Sequence, residues 1–215
     1  MIIQEVIFQT LHAVPFICGP IANNTYVVYD DNNGDCVIID PSFSLNKVIE
    51  KAKDIGVSPR EYWLTHAHWD HFIGTAYPES KKLGIHAHVH PSDEILYEEG
   101  IHTMKRQIPL IADSPKPVMD FYDNQKLYIG GFEFLVMHTP GHAPGHCCFY
   151  CRQAGWLFSG DLVFYHSYGR TDLTGGNETI LMKSIRERIL TLPDDTLILP
   201  GHEEFTFVRD EKVFY

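Results

Sequence analysis

Six consecutive residues, His66-Ala67-His68-Trp69-Asp70-His71, put three imidazoles and a carboxylate into one short stretch. The stretch follows Glu61–Thr65, whose residue types read as a short strand. On extended chain, side chains two apart point the same way, so His66 and His68 can close on one metal ion. Asp70 and His71 fall where the next helix starts and the chain turns, which presents them in another direction, toward a second, neighbouring ion. With 13 histidines in 215 residues, composition predicts roughly 0.003 such patterns per chain.

One loop cannot complete two coordination spheres, so partners must come from elsewhere. Three strand-to-loop junctions offer them. His142 follows Phe132–His138 within Thr139-Pro140-Gly141-His142, Asp161 follows Trp156–Ser159 within Ser159-Gly160-Asp161, and His202 follows Thr196–Leu199 within Pro200-Gly201-His202. Each stands past the C-terminal end of an apolar strand, beside a glycine that permits a tight turn. A scaffold of strands collects ligands from distant sequence at such places.

The pattern H-x-H-x-D-H, then T-P-G-H, S-G-D and P-G-H in that order, resembles the metallo-β-lactamase superfamily, most closely its small glyoxalase II-like (hydroxyacylglutathione hydrolase-like) hydrolases. Gly169-Arg170-Thr171-Asp172 with Gly175-Gly176 is similar to a stretch shared by that branch and by persulfide dioxygenases. The resemblance spans about residues 20–205. It implies an α/β (α+β) fold, a four-layer αβ/βα sandwich of two mixed β-sheets with outer helices and the metals at one edge. It further implies that His66, His68 and His142 hold a first metal, that Asp70, His71 and His202 hold a second, and that Asp161 bridges them. The donor set of nitrogens and carboxylates without thiolate suits two Zn²⁺ per chain, with iron or manganese as alternatives. Zinc lowers the pKa of a bound water from about 15.7 to about 7, and two ions roughly 3.5–4 Å apart share the resulting hydroxide while one polarises the substrate carbonyl. Asp70 and Asp161 would orient that hydroxide and so count as catalytic. Asp40, Thr65 and His138 are candidates for holding the histidine tautomers.

Strand-like and helix-like segments alternate along the rest of the chain. Ile2–Gln9, Thr25–Tyr29 and Cys36–Asp40 read as strands, with a turn at Asp31-Asn32-Asn33-Gly34; Leu45–Ile55 reads as a helix stopped by Gly56. Ile85–Val89, Lys126–Ile129, Phe132–His138, Cys147–Cys151, Trp156–Ser159 and Thr196–Leu199 read as further strands. Helices are expected over about Ser92–Glu99 and Glu178–Leu192, with a turn or helix at the C-terminus. The Pro-containing stretch Gly100–Asn124, with Met104, Ile108, Leu110 and Ile111, reads as an irregular loop lining the substrate pocket. Neither repeats nor linkers interrupt the chain, so residues 1–215 are expected to form one domain.

A formal net charge of −11 without any Lys/Arg cluster argues against nucleic acid as a partner. No window approaches the ~18 apolar residues of a membrane span, and Met1–Glu5 lack the basic start of a signal peptide; a cytoplasmic protein acting on a small molecule is expected. Oligomeric state is unreadable. Cys148 and Cys151 form a C-x-x-C, but within an apolar strand they read as buried core thiols. His86, His88 and His90 read as the polar face of a strand, Arg170 and Asp172 as an ion pair near the site, Trp69 as a packing residue, and His146 as equally suited to the pocket border, to supporting the ligands from behind, or to the surface. The expected reaction is hydrolysis of a small ester, above all a thioester of the acylglutathione type. A mononuclear-iron persulfide dioxygenase and a lactonase of the same superfamily are the alternatives.

Overall fold

A computed structural model describes residues 4–108 and 114–215. Strand β1 (Val6–Phe8) pairs with β2 (Leu11–Cys18), then follow β3 (Asn23–Asp30) and β4 (Asp35–Ile39), all antiparallel. Helix α1 (Leu45–Ile55) crosses over to β5 (Tyr62–Trp63), which lies parallel to β4. Short helices α2 (Trp69–Phe72) and α3 (Pro78–Leu83) lead to β6 (Ala87–Val89), and α4 (Glu94–Gln107) leads to β7 (Val118–Met119). These seven strands form one sheet in chain order. The second sheet contains β8 (Lys126–Ile129), β9 (Phe132–His138), β10 (Cys147–Cys151), β11 (Trp156–Gly160), β14 (Leu197–Pro200) and β15 (Thr206–Phe207), in the order β15-β14-β11-β10-β9-β8. Between β11 and β14 the chain makes the hairpin β12 (Val163–Phe164) and β13 (Ser167–Tyr168), then α5 (Glu178–Ser184), which continues as a π-helical turn over Ile185–Ile189; α6 (Val208–Glu211) follows β15.

Three apolar cores separate four layers. Alternation along β3 sends Val27 and Tyr29 outward to Leu45, Val48, Ile49 and Ala52 of α1, while Tyr26 and Val28 face the other sheet. Between the sheets lie Trp63, Phe134, Phe149, Phe158 and Leu199. Beneath the second sheet, Cys148, Tyr150, Leu157 and Ile198 pack on Leu181, Ile185, Ile189 and Val208. The architecture is the αβ/βα sandwich. No helix among the described residues is long and apolar enough to cross a membrane.

Several expectations are corrected. The long strand β2 is absent from the sequence reading because Pro15 interrupts its pattern; β1 pairs only as far as Ala13, so the side of β2 next to Pro15 needs no donor. The expected loop after Gly100 is instead helix through Gln107. Gly100 lies inside α4 because a Cβ there would meet the Phe72 ring at 2.8 Å, so the glycine permits close packing on α2 rather than marking a stop. Leu110 and Ile111, like the first residues of the expected strand Ile2–Gln9, lie outside the described residues. The hairpin β12–β13 was not anticipated. Cys148 and Cys151 point to opposite faces of the second sheet, and all five cysteines are free and buried.

Phe149 is fully buried between the sheets, with its ring 5.4 Å from Trp63 and 5.5 Å from Phe121. Phe149→Ala should cost about 3–5 kcal/mol, seen in chemical denaturation as a lower midpoint with an unchanged m-value.

Candidate metal centre

The seven side chains singled out from the sequence meet at one edge of the sandwich. After β5 the chain runs extended through Leu64 and Thr65 to His66, and Cys147 at the head of β10 donates its backbone N–H to the Thr65 carbonyl (2.8 Å), joining the two sheets there. Strands β9, β11 and β14 all end at this edge and release His142, Asp161 and His202. Asn24 N–H donates to the Gly201 carbonyl (2.7 Å), tying β3 to the His202 turn. Gly201 is required by proximity: a Cβ would collide with Asp161 Oδ1 and lie 2.9 Å from the His71 ring.

Two groups of ligand atoms result. His142 Nε2 lies 3.2 Å from His66 Nε2 and 2.9 Å from His68 Nδ1. Thr65 Oγ1 donates to Asp40 Oδ2 (2.8 Å) and so accepts from His66 Nδ1 (3.0 Å), while His142 Nδ1 donates to the Arg170 carbonyl (2.7 Å). The Nε2 atoms of His66 and His142 are therefore both lone-pair bearers, and their close approach is no hydrogen bond; a cation reconciles them. In the second group, His71 Nε2 lies 3.4 Å from Asp70 Oδ2, and His202 Nε2 lies 3.6 Å from the same oxygen. Asp161 stands between the groups, with Oδ1 3.4 Å from His71 Nε2 and Oδ2 3.6 Å from both His142 Nε2 and His202 Nε2. Buried His71 Nε2 and Asp161 Oδ1 have no hydrogen-bond partner among the described residues, as atoms reserved for an ion would. The arrangement suits a dinuclear metal site.

Electrostatics divides the cluster. Burial, reinforced by neighbouring imidazoles, holds His66 far below the ordinary histidine range and brings His68 down to about 4; burial also lowers His142. Burial acts against His71 as well, but Asp161, Asp70 and Asp40 outweigh it and raise that ring well above the ordinary value. His202 is raised against burial by Asp70 and Asp161. Both carboxylates are lowered despite burial, chiefly by His71, Asp70 to about 2 and Asp161 further.

Of the expected supporting residues, Asp40 and Thr65 are in place: Asp40 accepts the Thr65 N–H and O–H and lies 3.0 Å from His71 Nδ1. His138 is a correction, since it contacts none of the seven. It stacks on His90 at 4.2 Å and donates to the Pro144 carbonyl, because it sits one strand residue short of the loop that carries His142. His88 pairs with Asp120, and Arg170 with Asp172. Trp69 packs edge-on to Phe43. The expected lining by residues 100–124 holds only in part: the main cleft, about 500 Å³, is walled by Ile21, Ala22, Phe164, Tyr168, Arg170 and Glu203, and Gly100 and Thr103 line only a smaller adjoining cavity.

Two residues, Asn23 and Asp93, escaped the sequence reading, and the sequence leaves a third, His146, open between the pocket border, support of the ligands and the surface. Asn23 donates to Asp70 Oδ2 (2.8 Å). His146, fully buried, accepts the backbone N–H of Asp161 at 3.2 Å. Asp93, also fully buried, accepts N–H groups from Ala67 (3.0 Å) and Gly145 (2.5 Å), so one carboxylate clasps both histidine loops; burial raises its pKa to about 6. Only long-range contacts give these residues their roles, and only the cluster Pro140–His146 could have hinted at His146.

The metallo-beta-lactamase superfamily matches residues 18–202 of the chain. The di-iron-bound crystal structure of TTHA1623 is similar at 36% identity and a TM-score of 0.81, over 92% of this chain and 96% of that one. BLEG-1, a B3 metallo-beta-lactamase, is similar at 34% identity and a TM-score of 0.80, over 94% and 96%. Hydroxyacylglutathione hydrolase GloC of Haemophilus influenzae is 32% identical over 194 residues, 88% of this chain and 89% of its own.

Protons compete with metal ions for the same lone pairs. His71 and His202 hold their protons above the ordinary value of 6.5, whereas His68 takes one up only near 4. Acidification should therefore empty the Asp70–His71–His202 group first, and elemental analysis after dialysis at stepped pH should show two ions per chain falling to one before none. Simultaneous loss would overturn this order. Asp93→Ala, which strands two buried N–H donors, should cost about 3 kcal/mol and lower metal affinity about 10–100-fold, with Asp93→Asn intermediate by calorimetric metal titration.

Proposed function

The chain belongs to the metallo-β-lactamase superfamily, and from that premise we propose that it is a dinuclear zinc thioesterase that hydrolyses small acyl groups carried on a glutathione-like thiol. The coarser part of this reading, a metal-dependent hydrolase, stands on the family; the observation that carries the dinuclear reading is Asp161 placed between two complete groups of ligand atoms. Likeness to GloC supports the thioester. Iron is the alternative metal, since TTHA1623 holds two iron ions.

Bound ions of this kind lower the pKa of a coordinated water from about 15.7 toward about 7 and polarise a carbonyl oxygen. The chain's own residues prepare for that. Burial keeps His66, His68 and His142 neutral, with their lone pairs free. Asp70 and Asp161 stay ionised at neutral pH and can accept a hydrogen bond from the attacking water, fixing its direction. Arg170 stands on the cleft wall with its guanidinium held in a two-pronged pair by Asp172 (2.7 and 2.8 Å), so a carboxylate of the thiol carrier would have to compete with Asp172 for it. Ile21, Phe164 and Tyr168 provide apolar contact along the same wall.

The leaving group decides between thioester and lactam. A thiol with a pKa near about 8.5 departs as thiolate without a proton donor, whereas an amine does not. Of the two hydroxyls lining this cleft, that of Tyr168 already donates to Glu178 (3.1 Å) and that of Ser167 is not acidic at neutral pH, and Arg170 does not release its proton. The cleft thus favours the bond that needs no general acid. The net charge of −11 over the whole chain disfavours nucleic acid as substrate.

Elemental analysis of untagged protein should find about two zinc ions per chain, and a 2-hydroxyacyl glutathione thioester should be cleaved with a kcat/KM well above that for a cephalosporin. Chelation should abolish turnover and zinc restore it, while Asp161→Asn should lower kcat/KM roughly 100-fold or more. A protein loaded with two ions that leaves thioesters intact would end the thioesterase reading. One iron per chain with oxygen consumption on a persulfide would replace it with the dioxygenase.

A further inference from the structure

Two cavities of unequal size reach the metal ligands. The larger, about 500 Å³, touches His142, Asp161 and His202. A smaller one, about 190 Å³, touches His68 and is lined by Trp69, Leu96, Gly100, Thr103 and Leu173. His68 and His142 are adjacent, with ring centroids 4.6 Å apart, so each cavity begins at one member of a single pair of ligands. A single segment spans both: Gly169 and Arg170 line the larger and Leu173 and Thr174 the smaller. That segment is pinned at both ends of its course, by His142 Nδ1 donating to the Arg170 carbonyl and by Thr174 Oγ1 donating to Glu99 of α4 (3.2 Å).

We infer that the smaller cavity is the acyl subsite, taking an aliphatic chain of up to about six carbons beyond the carbonyl, while the larger takes the leaving group. This rests on the reading of the site as a hydrolase of acyl compounds. A carbonyl placed at the ligand groups has one substituent on each side, and the cavities receive one each. Size assigns them: 190 Å³ equals about six water-sized groups at ~30 Å³ each, too little for a peptide-like carrier. Trp69, Leu96 and Leu173 give the smaller cavity apolar walls, its one acid, Glu99, is engaged by the Thr174 hydroxyl, and Arg170, paired with Asp172, lines the other cavity. Gly100 contributes to the room, for a side chain there would already conflict with Phe72 and Trp69. Thr103 is half-buried and lines the smaller cavity, so a larger side chain there would take up its space.

The test needs no turnover. Straight-chain carboxylates from acetate to decanoate are titrated calorimetrically into the zinc-loaded protein. Affinity should rise about fourfold per methylene, as burial of a CH₂ group in an apolar site requires, and level off after about six carbons. Thr103→Phe should abolish the gain with chain length, and Leu173→Ala, at a loop position that tolerates truncation, should move the plateau to longer chains. Identical chain-length dependence in the wild type and both variants would overturn the assignment, as would a gain lost in Tyr168→Ala instead, which would put the acyl chain in the larger cavity. Thioester assays on the same preparations separate the two claims: a protein with the chain-length dependence but no thioesterase activity loses only the thioester reading, and one that cleaves thioesters with no such dependence loses only the subsite.

Discussion

Asp161 and His71 meet 3.4 Å apart with almost no water around them, and the rest of the structure follows from what that contact demands. At an effective dielectric of about 20, such a pair attracts by about 5 kcal/mol, while removing each ion from water costs several kcal/mol. The pair therefore roughly balances and cannot justify its own burial. Nor can it justify the crowd around it, a second carboxylate and four more imidazoles, three of them held neutral by burial. Divalent cations between these groups change the balance, because each lone pair that is costly when idle becomes a bond.

That requirement explains why so much of the fold edge consists of buried polar side chains aimed at other polar side chains. Asp40 fixes Thr65 and faces His71, Thr65 fixes His66, Asp93 clasps Ala67 and Gly145, His146 holds the Asp161 backbone, and Asn23 holds Asp70. These contacts cross between β3, β4, α4 and the loops after β5, β9 and β11. They join the two sheets where the apolar core between them ends, so the polar edge continues the work of the core by other means.

This division of labour accounts for what could be read in the sequence. His66, His68, Asp70 and His71 are legible because their spacing alone is improbable and their geometry is local. His142, Asp161 and His202 are legible because strand ends with adjacent glycines mark where a sheet releases ligands. Asp93 carries no such mark; in sequence it is only an acid at the start of α4, and its role exists once two loops far apart in the chain converge on it. Phe132–His138 announces itself by alternation in its first half and Cys147–Cys151 by a continuous apolar run, whereas β2 is hidden by Pro15 and the second half of α4 by Gly100. Both residues are punctuation by local rules and are tolerated for tertiary reasons, an unpaired strand side in one case and a close helix contact in the other.

The supporting contacts also bear on how the ions act on the fold. In a site created by its metal, ligands would lack partners on their far side, and binding would have to order them. Here His66, His142 and His202 already donate their distal nitrogens to Thr65, Arg170 and Ile21, and Asp70 already accepts from Asn23. These bonds hold the ligands from behind and aim their metal-facing atoms, as outer partners of metal-binding histidines and carboxylates do. Desolvation and charge then bear directly on how strongly those atoms bind an ion. The strength of the Asp161 carboxylate as a ligand, and the proton that His71 must surrender, become the two quantities that govern occupancy.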